Sequence, residues 1–222
     1  MKTNKLNVYS IFPSIDGEVN GYSQGALTVF IRLAGCNLRC QYPCDTEYSF
    51  DTKNSKQMTI EEIVNEVGEY KFKKITITGG EPLLQFDNLL LLVRNLSMSQ
   101  YYISLETNGS QEWRELLKYV NSIIVDYKLP SSGMQDKMLP IKYFEDNLCD
   151  KDFIKFVILN KKDFDMAIEI QRLSENSGAK FAYSPVYKKL NPQTLLKWMQ
   201  DAKINAVLNL QLHKILGLKE DK

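Results

Sequence analysis

Leu27-Thr28-Val29-Phe30-Ile31-Arg32-Leu33-Ala34-Gly35-Cys36-Asn37-Leu38-Arg39-Cys40-Gln41-Tyr42-Pro43-Cys44-Asp45-Thr46 joins a strand-like run to a polar loop that holds three of the chain's four cysteines. The first seven residues, rich in β-branched and aromatic side chains, predict a strand, so the thiols fall on the loop at that strand's end. In α/β proteins the carboxyl ends of strands are where ligands gather. Thiolates this close together suit one soft centre, a zinc ion or an iron-sulfur cluster, because the metal deprotonates each thiol it binds. A structural zinc ion takes four protein ligands, yet the fourth cysteine, Cys149, and the single histidine, His213, are remote in sequence. A three-thiolate site is the simplest count. Three cysteines on a four-iron cluster leave one iron without a protein ligand, and an open coordination position is what a catalytic metal centre uses to hold a reactant. The loop reads as an active site.

The 222 residues fit one α/β domain spanning 1–222, with enough chain to bury a full core. Lys plus Arg number 28 against 27 Asp plus Glu, spread without a dominant basic run, which argues against a nucleic-acid partner. No apolar stretch approaches the length of a membrane span, and Met1 to Asn7 lacks the hydrophobic region of a secretory signal. A cytoplasmic protein with no membrane partner is expected, in a compartment where thiols stay reduced and can hold a cluster.

Val8 to Phe12 alternates as a strand, and Pro13-Ser14-Ile15-Asp16-Gly17-Glu18 predicts a glycine-punctuated loop after it. Thr59-Ile60-Glu61-Glu62 is a capping box, and Ile60, Ile63, Val64 and Val67 then follow the spacing of an amphipathic helix. Lys74 to Thr78 predicts the next strand. It ends in Gly79-Gly80-Glu81-Pro82, where two glycines let a ligand approach the backbone closely, ahead of an apolar helical run through Leu92 and Val93. Further strands are predicted at Tyr101 to Glu106, Ser122 to Asp126, Asp152 to Leu159, Lys180 to Ser184 and Ala206 to Leu212. Helices separate them, including Asp163 to Ser177 and one opened by Asn191 with Pro192 in its first position. This alternation implies a parallel sheet with right-handed crossovers. Arg32 shares a strand face with Thr28 and Phe30, and its guanidinium fork, beside a metal loop, suits a substrate carboxylate. Cys149 has no nearby thiol or histidine in sequence and is expected to be an inert structural residue. Residues 218–222 are expected to be loose.

The cysteine loop together with Gly-Gly-Glu-Pro resembles the radical S-adenosylmethionine (SAM) enzymes, whose usual loop is C-x3-C-x2-C at the end of the first barrel strand. Gly35 to Cys40, Cys44-Asp45-Thr46, Pro130-Ser131-Ser132-Gly133-Met134 and Asn209 to Lys214 resemble one of their subfamilies, the 7-carboxy-7-deazaguanine synthases. The loop here is C-x3-C-x3-C, and Pro43 reads as the insert. One added residue lengthens the reach by at most about 3.3–3.6 Å, and a proline has no N–H to satisfy, so an outward bulge absorbs it.

The resemblance runs from Ile11 to Lys214 and implies a partial TIM-like (β/α)6 barrel of parallel strands, from Leu27 to Ser184, with short N- and C-terminal extensions. It implies that Cys36, Cys40 and Cys44 hold a 4Fe-4S cluster. SAM would be met by Gly79, Gly80, Glu81, Asn108, Asp126, Lys128, Ser184, Pro185 and Val186. Thr46 would hold Mg2+, its neutral hydroxyl leaving room for substrate oxygens. Substrate would be met by Ile15, Asp16, Gly17, Arg32, Thr78 and His213. Asp16 stands where the family commonly has Gln, so an acceptor replaces a donor. His213 on its own reads equally as a plain strand-end histidine, and the family's ending tips it toward substrate.

The implied reaction converts 6-carboxy-5,6,7,8-tetrahydropterin to 7-carboxy-7-deazaguanine with loss of ammonia, on the route to queuosine. One electron from a donor such as flavodoxin cleaves SAM, and the 5′-deoxyadenosyl radical takes a hydrogen from C6 of the pterin; no side chain need be a general base. The family tends to form homodimers. Two other readings stand beside this one. A radical SAM activase of a glycyl-radical enzyme leaves Cys-Asp-Thr and Pro-Ser-Ser-Gly-Met without a use, and a non-catalytic iron-sulfur or zinc protein leaves the glycine loop idle.

Overall fold

In the computed structural model, which describes residues 4–218, the strand that leads into the cysteine loop is second in chain order and third in position in a nine-stranded sheet. β1 (Lys5–Ile15) pairs antiparallel with β2 (Leu27–Leu33), and β3 (Lys56–Thr59) pairs antiparallel with the first part of β1, Lys5 to Val8. From β2 onward the sheet is parallel, through β4 (Lys74–Gly79), β5 (Tyr102–Thr107), β6 (Ser122–Tyr127), β7 (Phe153–Ile158), β8 (Lys180–Pro185) and the two-residue β9 (Val207–Leu208). The expected α/β barrel with six parallel strands from Leu27 to Ser184 is therefore present, with β1 and β3 as antiparallel strands on one edge.

The period-2 alternation of these strands divides two environments. Ile75 and Ile77, Ile103 and Leu105, Ile123 and Val125, and Ile154 and Phe156 are buried in the main apolar core with the helices. The residues between them are mostly polar: Lys74, Thr76 and Thr78; Ser104 and Glu106; Asp126; Lys155. The outer face is packed, and the inner face carries the chemistry.

α1 (Ile60–Glu69) opens on the predicted capping box: Glu62 N–H donates to Thr59 Oγ1 (3.2 Å), and Thr59 N–H donates to Glu62 Oε2 (2.7 Å). Such a cap stabilises a helix by about 1 kcal/mol. Its Ile60, Ile63 and Val67 are buried. α2 (Phe86–Met98) follows β4, and α3 (Ile141–Asn147) precedes β7. α4 (Lys161–Leu173) begins two residues before the predicted Asp163, because the Asn160 side chain caps it by accepting from Asp163 N–H; it stops at Leu173, and Glu175–Ser177 is a separate 3-10 turn. In α5 (Pro192–Ala202), Asn191 is the cap and Pro192 the first residue, as expected.

Three local expectations are corrected. β1 does not end at Phe12 but runs through Pro13 to Ile15. β3 covers only its first part, so Pro13 sits on an open edge where its missing N–H removes no sheet bond. Between β5 and β6 there is a 3-10 turn, Arg114–Lys118, in place of a full helix, and the fully buried Trp113 fills the space against Tyr143 and Phe144 of α3. The predicted strand from Ala206 to Leu212 is confined to β9, and His213 lies in a four-residue helix, α6 (Leu212–Ile215), not at a strand end. Asn209 breaks the strand by turning its side chain inward, where it accepts from Val19 N–H (3.0 Å) and donates to Ser184 Oγ (3.2 Å). Of the tail expected to be loose, only Leu218 is among the described residues, and it is exposed.

The segment between β1 and β2 plugs the amino end of the barrel. Gly21 N–H donates to Ser122 Oγ at the start of β6 (3.0 Å), and Val19 packs on the inward-facing Ile124, Phe153 and Ala182. A Cβ on Gly21 would meet Lys151 O at 2.6 Å and Tyr102 Oη at 2.7 Å, so only glycine lets the plug lie this close.

Candidate active site

β2 delivers the cysteine loop to the carboxyl end of the barrel, and neighbouring loops fix it there. Gly35 N–H donates to Ser49 O (2.8 Å), Glu81 N–H to Gly35 O (2.7 Å) and Gln41 N–H to Ser132 O (2.9 Å). The distinctive Pro130 to Met134 run is thus the dock for the middle of the cysteine loop. Cys36, Cys40 and Cys44 are half-buried, and Pro43 is exposed at the mouth while Tyr42 turns inward. Burial pushes the Tyr42 hydroxyl up to about 12, against the pull of the Lys128 ammonium. Burial also raises the Cys36 and Cys40 thiols; the Leu38 amide at Cys36 and the Lys128 ammonium at Cys40 pull them back.

The thiols and the inner faces of the strands enclose a cavity of about 370 Å³. All but one of the residues predicted from sequence line it: Cys36, Cys40, Cys44 and Thr46 on the rim; Gly79, Gly80, Asn108, Asp126, Lys128, Ser184, Pro185 and Val186 at strand ends; Arg32, Thr78 and His213 on the walls; Ile15, Asp16 and Gly17 on the floor. Glu81 is the exception. Its carboxylate is fully buried and accepts from Asn108 N–H (2.7 Å), Leu83 N–H (3.0 Å) and Thr107 Oγ1 (2.9 Å), bolting the end of β4 to the end of β5. Burial outweighs those donors and lifts its carboxyl to about 7.

The residues fit a thiolate-bound cluster. Cys36, Cys40 and Cys44 all face the one cavity, so three thiolates are presented to a single space. Gly80 allows the rim its position, since a Cβ there would lie 2.3 Å from Gly35 O and 2.8 Å from Cys36 Cβ. Asn108 Nδ2 donates to Asn37 Oδ1 (3.0 Å) and reaches 4.0 Å from Cys36 Sγ. Thr46 Oγ1 lies 3.5 Å from Cys44 Sγ.

Sequence reading missed much of the interior charge. Lys155 forms ion pairs with Glu18 and with Asp126 Oδ1 (2.9 Å), and Lys128 pairs with Asp126 Oδ2 (3.5 Å). Burial alone would raise Asp126, but these two ammonium groups hold its carboxyl below the usual range. The available signal was a lysine inside the apolar strand Phe153-Ile154-Lys155-Phe156-Val157-Ile158, where a charge persists only if paired. Arg32 is buried between the rings of Phe12 and Tyr48, 5.7 Å from each. Gln211 donates to Glu18 Oε1 (2.9 Å) and to Asp45 Oδ2 (3.1 Å), tying the chain's end to both floor and rim. A Cβ on Gly17 would meet His213 Nδ1 at 2.3 Å, so that glycine makes room for the imidazole.

Glu106 accepts from Thr78 Oγ1 (2.7 Å), and burial lifts its carboxyl to about 7, with Lys155 opposing and Asp16 and Glu18 adding to the rise. Folded chains keep this proton up to about 7, while unfolded chains release it near 4.5. Between those values the folded state binds more protons, so its stability falls as pH rises, at up to about 1.4 kcal/mol per pH unit. Glu81, lifted in the same way, adds a slope of the same size, so urea unfolding of the metal-free protein from pH 4.5 to 7 is expected to show both, and Glu106→Gln is expected to remove about half of it. An unchanged slope in the variant would assign the proton elsewhere.

Barrel, thiol rim and glycine loop together define a radical SAM protein, and residues 30–138 match the model of the radical SAM superfamily. A 7-carboxy-7-deazaguanine synthase of Clostridium acetobutylicum is 41% identical over 212 residues, covering 92% of this chain and 93% of the relative. One from Leptospira interrogans is 33% identical and covers 97% of both. Among solved structures, QueE from Escherichia coli has the same fold, with a TM-score of 0.75 at 21% identity and coverage of 93% and 94%. The chain belongs to the 7-carboxy-7-deazaguanine synthase family.

Proposed function

We propose that this single-domain enzyme converts 6-carboxy-5,6,7,8-tetrahydropterin to 7-carboxy-7-deazaguanine, with Cys36, Cys40 and Cys44 holding a 4Fe-4S cluster and the strand-end residues holding SAM. The observation that carries this reading is the convergence of the thiol rim, Arg32 and the interior carboxylates on one cavity. Relatives named as this synthase over nearly their whole length support it over the activase and metal-carrier readings. When bound, cluster and SAM supply the radical chemistry. The chain's own residues bind and orient. Arg32, held between two rings, presents a fixed cation to the substrate carboxylate. The plug closes the barrel floor and excludes water. Glu106 can hold a proton near neutral pH beside Thr78. We further propose Mg2+ at Thr46, flavodoxin as electron donor, a homodimer and a cytoplasmic location. No helix among the described residues is long and apolar enough to cross a membrane.

Reduced, reconstituted protein given SAM and the carboxytetrahydropterin is expected to form the deazapurine and ammonia without net loss of SAM. Stoichiometric SAM loss with no deazapurine would refute the reading. Thr46→Ala is expected to weaken the response of the rate to magnesium more than it weakens SAM binding, and an unchanged magnesium dependence would remove Thr46 from the metal's ligands.

A further inference from the structure

The floor of the cavity contains a buried ion pair whose lysine the reaction scheme leaves unused. Asp16 and Lys74 are each 2% exposed and form a salt bridge; Lys74 Nζ donates to Thr76 Oγ1 (2.8 Å), and Thr76 Oγ1 lies 2.8 Å from Asp16 Oδ2. Thr76 in turn meets Thr28 Oγ1 at 3.1 Å. The four residues come from the plug, β4 and β2. Both backbone groups of Asp16 are also engaged: its N–H donates to Ala26 O (2.8 Å), and its C=O accepts from Gly25 N–H (2.7 Å). Oδ2 thus faces the floor, and Oδ1 is the one acceptor of this residue with no partner among the described residues. Asp16 lines the cavity and Lys74 lies beneath it.

We propose that Lys74 is a positioning residue for substrate: it holds the Asp16 carboxylate so that Oδ1 accepts a hydrogen bond from an N–H group of the bound heterocycle. The proposal rests on the reading of Asp16 as a substrate contact and adds the residue through which that contact works. A carboxylate this buried swings toward other partners when its counter-charge is removed, and Oδ1 is then no longer aimed at the heterocycle. Substrate chemistry follows from the arrangement. An anion held at the floor, opposite the cationic Arg32 higher on the wall, fits a molecule with N–H donors at one end and a carboxylate at the other, as a carboxylated pterin has.

The test uses reconstituted holoenzyme and steady-state turnover of 6-carboxy-5,6,7,8-tetrahydropterin, with thermal melts alongside. Lys74→Met and Asp16→Asn are each expected to raise KM about 10- to 100-fold, the range of one charge-assisted hydrogen bond, with a smaller change in kcat. The double variant, which removes both charges, is expected to have a lower KM than either single variant, and Lys74→Arg to stay within about threefold of the parent. Melting temperatures that fall while KM stays put, or KM effects of the two single changes that simply multiply in the double variant, overturn the proposal. If Lys74→Met does not fold, the comparison of Asp16→Asn with the double variant and with Lys74→Arg decides it. A parent enzyme that makes no deazapurine counts against the function itself, whereas normal product with KM unmoved by Asp16→Asn counts against this inference alone.

Discussion

Anaerobically reconstituted Cys44→Ala protein is expected to lose the four-iron absorption spectrum and all SAM cleavage, while Cys149→Ala keeps both. Pro43 shifts Cys44 one place from the family's spacing, so Cys44 is the proposed ligand most in need of direct test. The loop meets the insertion by exposing Pro43 and keeping Cys44 half-buried on the cavity rim. There its thiol is close enough to Cys36 and Cys40 for its charge to raise both. Cys149 is exposed, precedes β7 at the opposite end of the barrel, and its thiol lies 3.4 Å from Asp152 Oδ2. It cannot replace a lost ligand on the rim. Removing one of three thiolates leaves a four-iron cube with two protein bonds, and loss of the cluster is total on the scale of the assay. A Cys44→Ala protein that still reconstitutes a full, active cluster refutes the ligand set, and deletion of Pro43 then becomes the experiment that locates the third thiolate.

Gly79→Ala is expected to cost about 3 kcal/mol or more and to leave the protein unable to retain iron. Gly79 has φ near +155°, and a Cβ on it would lie 2.0 Å from Leu33 O, an atom of the adjacent strand. Relief would require β2 and β4 to part where Leu33 pairs with Gly79, at the root of the cysteine loop. Gly80→Ala adds a second blow at the same place, through Gly35 O and Cys36. Urea midpoints of the metal-free variants measure the first effect, and iron per chain after reconstitution measures the second. A Gly79→Ala midpoint within about 0.5 kcal/mol of the parent, the range of an ordinary surface change, would show that the strands yield more easily than this geometry allows.

The alternation of β and α signals from Leu27 to Ser184, the capping box at Thr59 and the Asn191-Pro192 helix start were legible because each is a local rule. Apolar spacing, a side chain capping a helix end, and a proline where no N–H is needed all act within a few residues. The placement of the cysteine loop and of Gly79-Gly80 at strand ends was legible for a similar reason: an apolar, β-branched run that stops at glycine marks where a strand ends. Tertiary structure alone decided which charges share the interior. Lys74 with Asp16, and Lys155 with Glu18, are far apart in sequence and meet because the plug between β1 and β2 enters the barrel from below, while Lys155 meets Asp126 because β6 and β7 pair side by side at these two residues. It likewise assigned Glu81 to bolting β4 to β5, a role invisible in Gly-Gly-Glu-Pro itself, since a carboxylate's partners are set by neighbouring strands. Asn209 ended a strand that its apolar neighbours favoured, because a buried amide makes its hydrogen bonds where the fold offers them, here accepting from Val19 and donating to Ser184.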